Sequence, residues 1–178
     1  MSNIRDIGSY LFSKNDRLFL DANIWLSVYG PITLKRKRAS IYSRAVRDMQ
    51  TAGCTVYIDV LIISEFINAY ARWEHKQSAS ASDRFKDFRN SPAFVTIAKD
   101  IAVNAKRIIK QCQRCDSTFA RIDVDALLTE FEKGDSDFND QMFHRICKHE
   151  QLILVTDDRD FKPPDLTILT ANNRLLNI

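Results

Sequence analysis

R-L-F-L-D-A-N-I-W, Arg17 to Trp25, is a short apolar run that ends in an acid. Leu18, Phe19 and Leu20 read as a buried strand, Asp21 stands at its end, and Asn23 is placed to cap a following helix. A carboxylate at the end of a buried strand is costly unless something pairs with it. Three further acids sit beside apolar runs: Glu65 in L-I-I-S-E-F-I-N, Asp140 in D-F-N-D-Q-M-F, and Asp158 in I-L-V-T-D-D-R-D-F. Four acids from distant segments would share one charge problem, and a divalent cation would resolve it.

Outward from that stretch, residues 1–16 read as an irregular or weakly helical arm. Gly30-Pro31 breaks the helix that follows Asp21. Ile41, Ala45, Val46 and Met49 recur at helical spacing up to Gly53, a natural C-terminal stop. Cys54 to Val60 reads as a strand, and 61–75 as a helix carrying Ile62, Phe66 and Tyr70 on one face with Glu65 at its edge. Ser91-Pro92 opens a long helix that ends near Cys112. Thr118 to Ile122 reads as a short strand or an extended link. A helix from Asp123 to Lys133 closes at Gly134, and Ser136 to Asp140 opens the next one. Leu152 to Val155 is a strand, T-D-D-R-D (156–160) a turn, and Leu166 to Leu169 the final strand after Pro163-Pro164. Alternating strands and helices predict an α/β fold with a mainly parallel sheet, with a helical elaboration around 78–112 and a single domain over 1–178.

The chain of 178 residues is 45% hydrophobic and 28% charged, with only four Gly and four Pro, which excludes a low-complexity or disordered class. No stretch is apolar for long enough to span a membrane, and the N-terminus lacks the layout of a signal peptide, so a cytoplasmic protein is expected. Net charge is a mild +3, but Lys35, Arg36, Lys37 and Arg38 form a basic run followed by Arg44 and Arg47. Such a run is ordinarily a solvated face; beside a carboxylate pocket it also suits the phosphates of a polyanion. The cysteines are Cys54, Cys112, Cys115 and Cys147. Cys112 and Cys115 have C-x-x-C spacing without a second pair, and reduced thiols are the plainer reading.

Sites in parallel α/β sheets lie beyond the carboxyl ends of the strands. Asp21 and the pair Asp157–Asp158 belong at that end, and Asp140 and Glu65 lie on helices that reach it. Oxygen-only ligands select hard cations such as Mg²⁺ or Mn²⁺. That chemistry suits phosphodiester hydrolysis, in which the cation activates water and a carboxylate outside its shell orients the attack.

F-L-D-A-N-I-W, I-S-E-F-I-N, D-F-N-D-Q-M-F and L-V-T-D-D-R-D-F, in that order, resemble the four motifs of PIN-domain ribonucleases, a family that includes the VapC-like toxins of bacterial toxin–antitoxin pairs. The resemblance runs from Arg17 to Leu169 and is weakest from about Lys76 to Thr118. It implies a three-layer α/β/α sandwich and a Mg²⁺- or Mn²⁺-dependent endoribonuclease. Matched residue by residue, it implies catalytic acids at Asp21, Glu65, Asp140 and Asp158, with Asp137 and Asp160 as additional metal-site acids and Asp157 as an alternative to Asp158. Asn23 and Thr156 match supporting positions. Lys35, Arg36, Lys37, Arg38 and Arg44 are the candidate nucleic-acid contacts, and an RNA substrate, an antitoxin protein and a second copy of the chain are the expected partners.

Two other classes stay open. One is a non-catalytic RNA-binding or scaffold protein on the same fold. The other is a different carboxylate-metal enzyme, such as a flap-type DNA nuclease or a phosphatase, since a basic patch and acids serve either backbone. An aspartyl-phosphate phosphatase commonly carries a second Asp two residues after the first; here Asn23 holds that position, which counts against it.

Overall fold

The computed structural model describes residues 3–31, 36–78, 84–116, 119–134, 137–161 and 165–177. Lys35, Thr118, Ser136 and Pro163-Pro164 lie outside them. Six strands form one sheet: β1 (Asn3–Asp6), β2 (Arg17–Leu20), β3 (Thr55–Ile58), β4 (Gln113–Arg114), β5 (Ile153–Val155) and β6 (Thr167–Thr170). Their order is β1-β6-β5-β2-β3-β4, and every pairing is parallel. The helices are α1 (Ala22–Tyr29), α2 (Arg36–Ala52), α3 (Val60–Gln77), α4 (Phe85–Arg89), α5 (Pro92–Lys110), α6 (Val124–Phe131), α7 (Phe138–Glu150) and α8 (Asn173–Leu176).

A parallel sheet requires crossovers, and these supply the two helical layers. The chain steps outward from β2 through β3 to β4, then returns to β5 and continues to β6 on the other side. On the outward path α1 packs on α2 and α3, and α3 packs on α4 and α5; on the return α6 packs on α7. Phe19 of β2 meets Phe143 of α7 with ring centroids 5.6 Å apart. Leu18 and Leu20, one residue to either side, project from the opposite face. Both faces of β2 are thereby buried, which is why it reads as a continuous apolar run.

Four expectations are corrected. The arm at 1–16 contains β1, which pairs with β6 through Ile4 opposite Ile168, and it buries Ile7. Its polar composition hid it, because it is an exposed edge strand. Thr118 to Ile122 holds no strand among the described residues; Phe119–Arg121 is a 3₁₀ turn, and the short strand β4 lies earlier, directly after α5. The cap of α1 is Asp21, not Asn23: its side chain accepts from the Asn23 backbone N–H, so the strand's terminal acid also starts the helix. Ser91 precedes α5, but its hydroxyl donates to the Phe88 carbonyl rather than capping the helix. Most of the buried apolar side chains form one connected cluster that runs from Ile7 to Ala171. No helix among the described residues is long and apolar enough to cross a membrane.

Gly30 ends α1 through close approach. A Cβ there would lie 2.7 Å from the Leu26 carbonyl oxygen and 3.0 Å from its Cα, both backbone atoms that cannot swing aside. Gly30→Ala is expected to cost about 1–3 kcal/mol, the usual penalty of forced overpacking, measured as a lower urea midpoint at unchanged slope.

Candidate active site

The chain reverses direction across the sheet between β2 and β5, and such a switch point opens a crevice at the strand ends. Asp21 stands there, 6% exposed, its backbone N–H donating to the Val155 carbonyl at 3.0 Å. The Thr156 hydroxyl donates to Asp21 Oδ2 at 2.7 Å, and Asn23 Nδ2 donates to the same oxygen and to Thr156 Oγ1. Asn23 Oδ1 in turn accepts from the Asp157 backbone N–H at 3.2 Å, and Thr156 Oγ1 from that of Asp158 at 3.0 Å. Two side chains thus lace the end of β2 to the turn after β5.

Burial pushes the Asp21 carboxyl up to about 6, against the lowering effect of the Thr156 hydrogen bond. Glu65, half-buried on α3, is pushed up to about 7 by burial and then by the charges of Asp21, Asp137 and Asp158; a hydrogen bond from Asn139 acts the other way. Asp140, in the first turn of α7, is pushed up to about 7 by burial and then by Asp137, Asp21, Asp158 and Glu65. Five carboxylates therefore feel one another. Asp137 caps α7 by accepting from the Asp140 N–H at 2.9 Å. Asp158 Oδ1 accepts from the Asp160 N–H at 2.9 Å, while Asp160 itself is exposed and paired with Arg159.

Asp157 departs from this group. Its Oδ1 accepts from the Tyr42 hydroxyl at 2.9 Å and its Oδ2 from Arg38. Tyr42 Oη also accepts from the Ala171 N–H at 2.9 Å, and Asn172 Nδ2 donates to the Asp157 carbonyl at 2.7 Å. Adjacent acids point to opposite sides of one turn: Asp157 ties α2 and the end of β6 to β5, and Asp158 joins the acidic group. Arg38, expected to contact nucleic acid, is half-buried and spends part of its charge on Asp157. Arg36 and Lys37 lie in the first turn of α2, and Arg44 is exposed further along it.

Asn139, Tyr42 and Asn172 were not singled out in the sequence. Asn139 carried a signal, standing one residue before Asp140 on the same opening turn; Tyr42 and Asn172 had none, because their partners are more than ten residues away. The thiols show no sign of reactivity: all four are free, and burial lifts Cys112 to about 12 and Cys115 to about 11.

The donor set at the crevice is oxygen-rich and mutually repelling, which fits a hard divalent cation in kind. In placement the fit is looser: among the described residues no group of three or more His, Cys, Asp or Glu is drawn together closely enough to hold a metal ion.

The model of the PIN domain family matches residues 18–165. Among solved structures, VapBC2 from Rickettsia felis, described as bound to a DNA fragment from its promoter, is similar to this chain with a TM-score of 0.52 at 16% identity, covering 86% of this chain and 98% of the other. PAE2754 from Pyrobaculum aerophilum superposes with a TM-score of 0.49 at 12% identity over 97% and 95% of the two chains. No curated protein matches the sequence.

Two outcomes are expected. The raised carboxyls make the folded chain bind more protons than the unfolded one between about pH 4 and pH 7. Their stabilising contribution is present below the ordinary carboxylate range and lost as pH rises through 6 to 7. The melting temperature of metal-free protein should therefore fall from pH 5 to pH 8, and Asp140→Asn should flatten that fall. Tyr42→Phe removes both the donor to Asp157 and the acceptor of the Ala171 N–H; at about 1–3 kcal/mol for each buried group left unpaired, a loss of about 2–6 kcal/mol is expected by urea titration.

Proposed function

The chain belongs to the PIN domain family, and from that premise we propose that it is a Mg²⁺- or Mn²⁺-dependent endoribonuclease and the toxin half of a toxin–antitoxin pair. The observation that carries the proposal is the mutual electrostatic influence of Asp21, Glu65, Asp140 and Asp158, acids from four distant segments, at the switch point of the sheet. PIN domains are generally nucleases. The VapBC2 likeness bears on the fold, and its toxin–antitoxin setting is the context adopted here.

In this reading Asp21, Asp140 and Asp158 are the oxygen ligands, with Asp137 and Asp160 adding negative charge around them. Asp158 takes the fourth position rather than Asp157, whose oxygens are held by Tyr42 and Arg38. Asn23 and Thr156 hold the Asp21 carboxylate in place through hydrogen bonds to its Oδ2. When bound, the cation would supply charge neutralisation at the phosphoryl oxygen and a more acidic water. Glu65, half-buried beside the other acids and given a hydrogen bond by Asn139, is suited to orient the attacking water. The exposed Arg44 and the start of α2 would meet the phosphates of the strand. A cytoplasmic location, an antitoxin that covers the crevice and a homodimer complete the proposal; Ile67 on α3 and Val95 and Val103 on α5 are exposed apolar side chains.

A second reading, a non-catalytic RNA-binding protein on the same fold, draws on the loose spacing of the acids. Cleavage of single-stranded RNA with Mn²⁺, with and without chelator, separates the two. Cleavage by the parent should vanish with chelator and drop on the order of 10²-fold or more in Asp140→Asn, with the far-ultraviolet spectrum unchanged. Equal cutting by parent and variant would remove the acids from the mechanism, and parallel assays on single-stranded DNA decide between the two backbones.

A further inference from the structure

On the far side of the 156–160 turn from the acids lies an open cavity of about 420 Å³, walled by Arg38, Arg159 and Arg174, with Ile41 and Ala171 as an apolar side and Asn173 at the rim. We propose that this cavity is a binding subsite for one nucleotide of the substrate strand, with its phosphate held among the arginines. The strand's identity as RNA rests on the nuclease reading above.

Three features carry the assignment. First, the cavity lies within the usual size of small-ligand sites, roughly 300–1,000 Å³, and offers both an apolar wall and convergent polar groups. Second, its charge is positive and partly uncommitted. Among the described residues no carboxylate pairs with Arg174, and Arg159 has only its exposed neighbour Asp160. Arg38 gives one nitrogen to Asp157, but a guanidinium carries five N–H donors in a planar fork, and the ion pair holds that fork in place instead of consuming it. Planar forks match phosphate oxygens two at a time. Third, the cavity is joined to the acids by the chain itself. Arg159 directly follows Asp158, and Asp157 holds Arg38 from the residue before it. A strand that reaches the acids and continues around the 156–160 turn would present a further phosphate to the arginines. The buried Asp157 is then a positioning residue, which aims Arg38 without touching the strand.

The subsite also changes which cations matter. The basic run at 35–38 drew notice in the sequence by its density, whereas Arg159 and Arg174 are isolated there and converge only through the fold.

The test is RNA affinity in an Asp140→Asn background, read by fluorescence anisotropy with a short labelled single-stranded RNA across a salt series. Arg174→Ala should weaken binding about 5- to 20-fold and lower the salt slope by about 1, the signature of one lost phosphate contact; Arg174→Lys should keep the slope. Arg121→Ala, exposed outside this cavity, should leave both unchanged. Adenosine monophosphate is the competing ligand. If it binds in an Arg174-dependent way while the RNA does not, the cavity is a small-anion site and the strand assignment falls. Unchanged affinity and slope in Arg174→Ala also overturn the subsite, even if the parent cleaves RNA and the nuclease reading stands. An Arg174-dependent loss of RNA binding with no cleavage by the parent keeps the subsite and removes the nuclease. A parent that binds no RNA removes both.

Discussion

The buried carboxylate of Asp21, laced between Asn23 and the Thr156 hydroxyl, is the constraint from which the rest of the site follows. An acid with so little solvent at the end of a central strand is tolerable only if its oxygens are partnered. Those partners come from the start of α1 and from the turn after β5, so one charge fixes the junction of two strands that are adjacent in space and more than a hundred residues apart in the chain. The same carboxylate accepts the Asn23 backbone N–H in the first turn of α1. Strand end, helix start and sheet pairing are set by a single side chain, and the other acids gather around a point that is already rigid.

The turn at Thr156 to Asp160 divides the labour of successive residues. Thr156 serves Asp21, Asp157 serves α2 and β6 through Tyr42 and Arg38, and Asp158 faces the acidic crevice. Alternation of this kind lets one strand end carry a structural ion pair and a member of the acidic group side by side. Arg159, which lines the basic cavity, directly follows Asp158 of the acidic group in the chain.

Much of this was legible in the residues. β2 and β5 are apolar on both faces, so they read as strands without ambiguity, and the acids at their ends followed from position alone. β1 was missed because an edge strand has a polar composition, and β4 because two residues leave no periodic trace. The choice between Asp157 and Asp158 could not be made from sequence: adjacent residues differ only in which way they point, and that is set by Tyr42 and Asn172 from remote segments. The same holds for Arg159 and Arg174. Density along the chain marked 35–38, but proximity in space is a property of the crossovers.

Both borders of the sheet are short among the described residues. β4 contributes two residues and β1 four, the latter carrying Arg5 and Asp6. A row of unpaired amides needs length and a neutral, flat outline to recruit a further strand, and neither border provides it. Fibril-like stacking is thereby discouraged, and a peptide ligand gains little from extending the sheet. The helices and the strand-end crevice are left as the broader surfaces for a macromolecule to grip.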